Sequence, residues 1–436
     1  MSFPRYPKYK DSGVEWLGQV PEHWDTTRIK NLFTLMRRAP EPNDEIVTAF
    51  RDGEVTLRSN RRVDGFTNAL QEHGYQRVLK NDLVIHAMDA FAGAIGVSDS
   101  DGKSTPVYSV CTPKRPDVDA HYYGRLMRHM ALAGYINSLS KGIRERSTEF
   151  RWNEAAEVVV TVPPMSEQAA IVAFLSHETG KIHRLVAEQQ RLMGLLKEKR
   201  QAVISHAVTK GLNAHSPMKP SGIEWLGDVP EHWRILRLKD VSPRISGRLV
   251  YQPAQYFSED GVPFLMGNNV SERGIQWEDV KFIPDDVNNS FSQHALREGD
   301  VVTVRVGAPG VTCVVPKDAD GLNCGSLMII RQSPRFSSHW LASVMNSPVV
   351  RRQIDQVQYG AAQEQINITD AVTFRIPTPP LIEQGAIASF LREETERFDT
   401  LTTEAQKAIN LLQERRTALI SAAVTGQIDV RELAAS

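Results

Sequence analysis

Residues 12–24, SGVEWLGQVPEHW, return 209 positions later as residues 221–233, SGIEWLGDVPEHW. A second pair of segments, PMSEQAAI at 164–171 and PLIEQGAI at 380–387, lies 216 positions apart. The same spacing relates EKRQAVISHAVT at 198–209 to ERRTALISAAVT at 414–425. Between these matched segments the two halves differ almost everywhere. The chain is therefore an internal repeat in which a constant frame carries two divergent inserts, as a protein that recognises two different things would need.

The C-terminal part of each repeat predicts a long α-helix. Residues 166–209 contain no Pro, and their apolar residues recur at steps of seven, three, seven, four and seven, as they do in the second repeat. Such a heptad pattern is typical of a helix that packs against one partner helix. A helix of about 43 residues would extend roughly 65 Å. The residues predicted to pair the helices are Leu175, Ile182, Leu185, Leu192, Leu196 and Val203, then Leu391, Phe398, Leu401, Ala408, Leu412 and Leu419.

A single apolar seam cannot be buried by its own helix, so each long helix needs a partner. The two helices can pack against each other in antiparallel orientation about a pseudo-two-fold axis, or each can pair with a helix of another chain. We favour the internal pair, because the two seams have matched lengths.

Each insert is predicted to be a small β-rich α/β fold. Strand character is found at 77–87, 107–112 and 157–162 in the first insert, and at 300–306, 311–315 and 326–331 in the second. One helical stretch follows in each, at 122–140 and 340–358, and then a polar loop that begins at Gly142 or Gly360.

The predicted fold class is therefore α/β (α+β), with two similar mixed β-rich domains separated by two long antiparallel coiled-coil helices. The first domain with its N-terminal lead-in would span residues 1–164, and the first long helix 165–212. The second domain would span 213–380, the second long helix 381–428, and a C-terminal tail 429–436.

The composition is that of a soluble globular protein, with 41% hydrophobic and 24% charged residues and a net charge of −1. The first insert (1–163) has 22 Lys+Arg against 21 Asp+Glu, and the second (216–379) has 16 against 18. Any nucleic-acid surface must therefore come from the arrangement of charges. Cys111, Cys313 and Cys324 are isolated, which favours a reducing compartment. Because no apolar run has membrane-spanning length, we expect a cytoplasmic protein.

No segment predicts an active site. FAGAIG at 91–96 resembles the glycine turn of an S-adenosylmethionine site, and Gly102-Lys103-Ser104 resembles the end of a P-loop. Neither has the other residues that its motif requires. The acidic residues and histidines show no nuclease or metal-ligand spacing. We expect a non-catalytic chain with no metal and no cofactor of its own.

Polar loops at corresponding places in the two inserts are the candidates for recognition, since loops vary freely on a fixed scaffold. Arg, Asn and Gln side chains can form bidentate hydrogen bonds with guanine or adenine edges. The candidate DNA-binding residues are Arg58, Asn60, Arg61, Arg62, Arg144, Arg146 and Arg151 in the first insert. In the second they are Asn268, Asn269, Arg273, Tyr359, Gln363, Gln365 and Asn367.

The tryptophans of the lead-in segments, Trp16, Trp24, Trp225 and Trp233, could stack on bases or anchor each insert to the end of a long helix. We favour the structural role, because both repeats retain these residues while the inserts diverge.

The repeated lead-ins, the two proline-to-Glu-Gln steps and the helix ending ISHAVTKGL together resemble the specificity subunits of type I restriction–modification enzymes. The resemblance covers essentially the whole chain. It implies two target-recognition domains, each reading one half of a split DNA sequence, with the paired helices setting the spacer. It implies double-stranded DNA and two modification subunits as partners, the latter bringing S-adenosylmethionine for adenine methylation. Restriction subunits using ATP and Mg²⁺ would complete the complex.

Two other classes of function are the alternatives. A self-sufficient DNA methyltransferase or nuclease would need a catalytic motif. A coiled-coil scaffold that binds no DNA would not need inserts with Arg-, Asn- and Gln-bearing loops.

Overall fold

The computed structural model describes residues 3–61, 73–139, 149–247, 253–358 and 365–433. The chain forms two compact units, one made of Met1–Gln189 with Lys407–Ser436, the other of Gln190–Gln406. It enters the second unit within one long helix and leaves it within another. Each unit therefore contains one insert, the beginning of one long helix and the end of the other.

The strands of the first unit are short. They are β1 (Tyr9–Asp11), β2 (Gln19–Pro21), β3 (Asp25–Arg28), β4 (Phe33–Met36), β5 (Val47–Ala49), β6 (Val55–Leu57), β7 (Gln76–Val78), β8 (Leu83–His86), β9 (Ile95–Val97), β10 (Gly102–Ser104), β11 (Tyr108–Pro113) and β12 (Val159–Val162). The helices are α1 (Ile29–Leu32), α2 (Ala120–Leu132), α3 (Tyr135–Leu139), α4 (Trp152–Glu157) and the long α5 (Met165–Lys210).

An antiparallel sheet in the order β4-β11-β8-β9 forms the centre of the first insert. Its side chains alternate between two cores, as the two-residue period of a strand requires. Leu83 and Ile85 of β8 point into the main core, which α2 covers, while Val84 between them joins a smaller core with the β5–β6 hairpin. The sheet is thus buried on both faces.

The second unit has the strands β13 (Met218–Pro220), β14 (Asp228–Pro230), β15 (Arg234–Arg237), β16 (Ile245–Ser246), β17 (Val262–Leu265), β18 (Val270–Ser271), β19 (Gly274–Ile275), β20 (Lys281–Ile283), β21 (Val301–Val304), β22 (Thr312–Val314), β23 (Asn323–Cys324), β24 (Leu327–Ile330) and β25 (Arg375–Thr378). Its helices are α6 (Leu238–Val241), α7 (Asp285–Ser290), α8 (Ser338–Met345), α9 (Pro348–Gln358), α10 (Ile368–Ala371) and the long α11 (Leu381–Val424).

The second insert repeats the sheet of the first. Its central sheet has the order β16-β24-β21-β22, which matches β4-β11-β8-β9 strand for strand. Val301 of β21 points into the core covered by α8, and Val302 into the opposite core. In both units the ends of the insert are paired with each other, β3 with β12 and β15 with β25. The predicted pair of similar mixed domains is confirmed.

Three predicted elements are divided in the structure. The single strand predicted at 77–87 is two strands, β7 and β8, because Asn81 adopts a positive φ of 71° in the turn between them. The helix predicted at 122–140 is broken at Gly134, which has a φ of 84°. The helix predicted at 340–358 is broken before Pro348, because proline fits the first turn of a helix but cannot continue one.

Within each unit the two long helices pack in antiparallel orientation. In the first unit Leu175 of α5 shares a core with Leu419 and Ala423 of α11. Further along α5, His183 lines a cavity with Arg416, an earlier residue of α11. Later positions of one helix therefore meet earlier positions of the other, as in an antiparallel pair. In the second unit the core contains Ile204, Ala207 and Val208 of α5 and Ile387 and Leu391 of α11. The predicted antiparallel pairing within the chain is confirmed.

The buried stripe of each helix follows alternating steps of four and three residues. It comprises positions 175, 179, 182, 186, 189, 193, 196, 200 and 203 of α5 and, 216 residues later in each case, 391, 395, 398, 402, 405, 409, 412, 416 and 419 of α11. Leu175, Ile182, Leu196, Leu391, Phe398 and Leu419 are buried as predicted, and Val203, Ala408 and Leu412 are half-buried.

The prediction was wrong for Leu185, Leu192 and Leu401, which are 51%, 43% and 37% exposed. The seam passes through Val186, Met193 and Thr402, each one residue further along the helix, so the heptad steps selected a leucine beside the seam.

Substitution of Leu391 by Ala should lower the free energy of unfolding by about 2–5 kcal/mol, because the side chain is fully buried in the second core. Leu401→Ala on the same helix is the matched control, and we expect a loss of less than about 1 kcal/mol for this exposed residue. Urea denaturation of the purified chain measures both. Equal losses would contradict the assigned seam.

Candidate functional site

A buried carboxylate joins the first lead-in to the first turn of α5. Glu167 accepts hydrogen bonds from the Tyr6 hydroxyl (3.0 Å) and from Trp24 Nε1 (2.9 Å), and its other oxygen lies 2.6 Å from His23 Nε2. Burial and the adjacent Glu167 carboxylate raise the pKa of Tyr6. We call Tyr6, His23, Trp24, Glu167 and Gly426 the first clamp.

The second repeat contains the same arrangement. Glu383 in the first turn of α11 accepts a hydrogen bond from Trp233 Nε1 (3.1 Å) and lies 2.8 Å from His232 Nε2. Gly211, directly after α5, has a φ of 74°, and a Cβ there would lie 3.2 Å from the Trp233 ring. His232, Trp233, Glu383 and Gly211 form the second clamp.

Each clamp joins the beginning of one long helix to the end of the other. Gly426 follows α11 with a φ of 75°, and a Cβ at this position would lie 2.9 Å from Trp24. Glycine is required at both helix ends because the positive φ and the nearby indole both disfavour a side chain. Trp24 and Trp233 are fully buried, so their predicted anchoring role is confirmed and base stacking is excluded for them.

Trp16 and Trp225 are half-buried members of the same lead-ins. Trp16 packs on Tyr135 with ring centroids 5.4 Å apart, and the Arg352 guanidinium lies 6.0 Å from the Trp225 ring. Both therefore attach a lead-in to its insert.

The glutamine after each clamp carboxylate holds the insert on the helix. Gln168 Oε1 accepts from the backbone N–H of Asp119 (2.9 Å), the N-cap of α2, while its Nε2 donates to Pro163 O (2.8 Å). Gln384 accepts from the N–H of Ser337 (2.8 Å), the N-cap of α8. The repeated Glu-Gln pair drew attention to these residues in the sequence, but the sequence did not predict what they contact.

The first recognition candidates lie together after β6. Arg58 and Asn60 belong to a 3₁₀ turn in which Asn60 Nδ2 donates to Thr56 Oγ1 (2.8 Å). Arg61 pairs with Asp52 (2.6 Å) and Glu54 (3.0 Å), and its guanidinium lies 4.3 Å from the centre of the Phe50 ring. Arg58 and Asn60 remain predictions for base contacts, whereas Arg61 already bridges the β5–β6 hairpin.

Several other candidates cannot be placed. Arg62, Arg144, Arg146, Tyr359 and Gln363 lie outside the described residues. Arg151 is described, and its Nε donates to Glu149 (2.6 Å).

The residues that follow the undescribed segments 140–148 and 359–364 correspond in the two inserts. The N–H of Phe150 donates to Ala87 O (2.9 Å), and the N–H of Ile366 donates to Arg305 O (2.9 Å). The undescribed segments 140–148 and 359–364 thus precede equivalent positions in the two inserts.

In the second insert, Gln365 and Gly267, the residue before Asn268, both lie close to Val306. Gln365 forms a β-bridge with Val306, and a Cβ at Gly267 would lie 3.3 Å from Val306 O. The side chains of Asn268 and Gln365 are exposed, so both residues remain predictions for base contacts. Asn367 caps α10, and its Nδ2 lies 3.3 Å from Asp370 Oδ2.

Two candidates of the second insert have internal contacts. Asn269 is fully buried; its Oδ1 accepts from Met266 N (3.0 Å) and its Nδ2 donates to the carbonyls of Gln276 and Glu278 (both 3.2 Å). Asn269 is therefore a structural residue, and its prediction as a base-contacting residue was wrong. Arg273 remains exposed but pairs with Asp399 of α11 at 2.8 Å.

The described residues hold no cluster of three or more His, Cys, Asp or Glu side chains that could bind a metal ion. Burial raises the pKa of the Cys313 thiol to about 12, which keeps it protonated and poorly nucleophilic at neutral pH. Within the described parts of the chain, no helix is long and apolar enough to cross a membrane.

Substitution of Glu167 by Ala should leave Trp24 Nε1 and the Tyr6 hydroxyl buried without an acceptor, at a cost of about 1–3 kcal/mol for each. We expect a lower free energy of unfolding and faster tryptic cleavage after Lys8 and Lys10 in the lead-in. Glu188→Ala, an exposed position on the same helix, is the control. If both variants behaved alike, the first clamp would not hold the lead-in.

Comparison with known proteins finds relatives along the whole chain, although no family model matches. The chain is 26% identical over 429 residues to the type I restriction enzyme MjaVIII specificity subunit of Methanocaldococcus jannaschii, covering 95% of both chains. It is 26% identical over 214 residues to the type I restriction enzyme EcoKI specificity subunit of Escherichia coli, covering 46% of this chain and 44% of that one.

Two solved structures share the fold. One chain, from work on the assembly and conformational transition of the type I R-M system, has a TM-score of 0.71 at 17% identity over 93% of this chain and 98% of that chain. The HsdS subunit of Thermoanaerobacter tengcongensis has a TM-score of 0.55 at 18% identity over 94% of this chain and 98% of that chain. The predicted resemblance and fold are confirmed.

Proposed function

We propose that this chain, which belongs to the specificity subunits of type I restriction enzymes, binds a two-part DNA target, one half with each insert. The observation that carries the proposal is the common sheet order of the two inserts, β4-β11-β8-β9 and β16-β24-β21-β22, combined with different loops. A fold that occurs twice in one chain with different loops can bind two different DNA sequences. Exposed Asn60, Asn268 and Gln365 have the side chains to contact base edges.

The two half-sites should be read independently. Replacement of residues 29–158 by the same segment of another specificity subunit leaves the β3–β12 ladder intact, because Arg28 pairs with Val159. We expect one half of the methylated sequence to change and the other half to remain. Methylation mapping of the assembled enzyme is the measurement.

The reciprocal exchange of residues 238–374, between the paired Arg237 and Arg375, should change only the other half. A change of both halves by either exchange would overturn independent reading.

We propose that the chain is non-catalytic and that S-adenosylmethionine, ATP and Mg²⁺ bind to its partner subunits. The support is the curated relatives, which are named as specificity subunits. We expect that the purified chain given these cofactors neither methylates nor cuts DNA, and that added modification subunits restore methylation. Turnover by the pure chain would favour the self-sufficient enzyme instead.

Two modification subunits are the proposed partners on the long helices, with restriction subunits completing the enzyme. Exposed apolar residues occur at equivalent positions of both repeats, 216 residues apart: Met165 and Leu381, Leu185 and Leu401, Leu195 and Leu411. Equivalent surfaces that occur twice in one chain can each bind one copy of the same partner. None of these six exposed residues lies in the seam between the helices. We therefore assign the contacts with the modification subunits to them.

The length of the paired helices is proposed to set the number of base pairs between the two half-sites. Gln189 and Ala405 occupy equivalent positions in the buried seam. Insertion of seven residues after each of them preserves the alternating four- and three-residue spacing of the seam. Each helix grows by about 10 Å, and the preferred spacer should lengthen by about three base pairs at 3.4 Å each.

Insertion of four residues at each of the same sites is the control, because it changes the phase of the seam and should reduce stability. An unchanged spacer in an active seven-residue variant would show that the helices do not set it.

A further inference from the structure

A cavity of about 300 Å³ in the first unit collects three arginines. Arg125 and Arg128 extend from α2, and Arg416 extends from α11; the tip of the β5–β6 hairpin and His183 of α5 complete the wall. Gly53 at the hairpin tip has a φ of 90°, and a Cβ there would overlap the Arg128 side chain. The hairpin thus needs glycine where the arginine passes.

The contacts of these guanidinium groups are few and neutral. Arg125 donates to Ser176 Oγ (2.9 Å), and Arg128 donates to the backbone oxygen of Arg51 (3.2 Å). Among the described residues, the Nε atoms of Arg128 and Arg416 are buried without a hydrogen-bond partner. Burial, and then repulsion from Arg416, lowers the pKa of both Arg125 and Arg128, so the three charges do act on one another.

The acidic groups around the cavity are Asp52, Glu54 and Asp99. Asp52 lies close enough to attract Arg128, and Asp119 close enough to attract Arg125. The carboxylates of Asp52 and Glu54 are, however, bound by Arg61 at 2.6 Å and 3.0 Å, and Asp119 Oδ1 accepts a hydrogen bond from the N–H of His121 at 2.8 Å. The described residues place no carboxylate within ion-pair distance of Arg125, Arg128 or Arg416. A partly buried positive charge without a counter-charge is costly, and a bound anion would offset that cost.

In the second unit, the arginine equivalent to Arg416 has a carboxylate partner. Arg200 of α5 lies 216 residues before Arg416 in the equivalent place, and it too has a buried Nε without a partner. Its Nη1, however, donates to Glu272 Oε2 at 2.8 Å, at the tip of the β18–β19 hairpin. Glu272 thus neutralises Arg200 in the second unit, whereas in the first unit no described carboxylate forms an ion pair with Arg416.

We propose that Arg125, Arg128 and Arg416 bind a phosphate group in this cavity. Guanidinium groups match the geometry of phosphate oxygens and form short, charge-assisted hydrogen bonds with them. The phosphate comes either from a DNA backbone, in which case the site rests on the proposed function, or from free inorganic phosphate.

The first test measures binding of inorganic phosphate to the purified full chain, by calorimetry and by thermal midpoint at constant ionic strength. We expect saturable binding that Arg416→Gln and Arg128→Gln each weaken about tenfold or more, the loss expected for one charged hydrogen bond. Arg416→Lys should retain part of the affinity. Arg200→Gln, the matched position that Glu272 already neutralises, should leave it unchanged.

Failure of the wild-type chain to bind phosphate above the level of a chloride control would overturn the proposal. Equal weakening by Arg416→Gln and Arg200→Gln would also overturn it, because the effect would then be general loss of charge.

The second test distinguishes the sources through the salt dependence of DNA binding by the complex with modification subunits. Loss of a backbone contact should reduce the slope of log K against log salt by about one in Arg128→Gln and not in Arg200→Gln. An unchanged slope, with phosphate binding lost, would assign the site to free phosphate. If the wild-type complex bound no DNA while the chain bound phosphate, the proposed function would fail and the phosphate site would stand.

Discussion

The carboxylates of Glu167, which is buried, and Glu383, which is half-buried, are the contacts on which the rest of the frame depends. A carboxylate that is wholly or partly removed from water needs hydrogen-bond partners, and each of these contacts the indole N–H and the histidine of one lead-in. Each also lies in the first turn of a long helix, where negative charge is favoured. The indole in turn fills the space beside the glycine that ends the other helix. The antiparallel packing in each unit and the attachment of each insert both follow from this contact.

The frame is the same in both repeats and the insert loops differ, and there is a physical reason for this division. The clamps and the Gln168 and Gln384 contacts are made by fixed side chains to backbone or to one another, so substitution would break several interactions at once. Loops on the surface of the inserts can change while the sheet beneath them stays the same. Arg200 and Arg416 show an intermediate case, in which one frame position is neutralised in one unit and open in the other.

The repeat made much of this architecture predictable. Matched helices of equal pattern indicated the antiparallel pair, and retention of Trp24 and Trp233 in both repeats indicated structural anchors. The seam was only partly predicted, because Thr179 and Arg200 occupy positions that a search for apolar residues passes over and leucines such as Leu185 lie beside it.

Residue type also could not separate a recognition side chain from a structural one. Asn269 has the chemistry to contact adenine, but its turn uses every polar group of the amide internally. The helix breaks at Gly134 and Pro348 could have been predicted from residue type, because glycine and proline interrupt helices. The break at Asn81 depends on local backbone geometry, which the strand pattern does not contain.

The central claim is that one repeated frame carries two separate readers of DNA. Mapping of every methylated adenine in a host that expresses the unaltered chain with the proposed modification subunits tests this claim most directly. The account predicts a single two-part motif, with two unrelated half-sites separated by a fixed number of unspecified base pairs. A continuous motif without a spacer, or two half-sites that are methylated at variable separations, would contradict it.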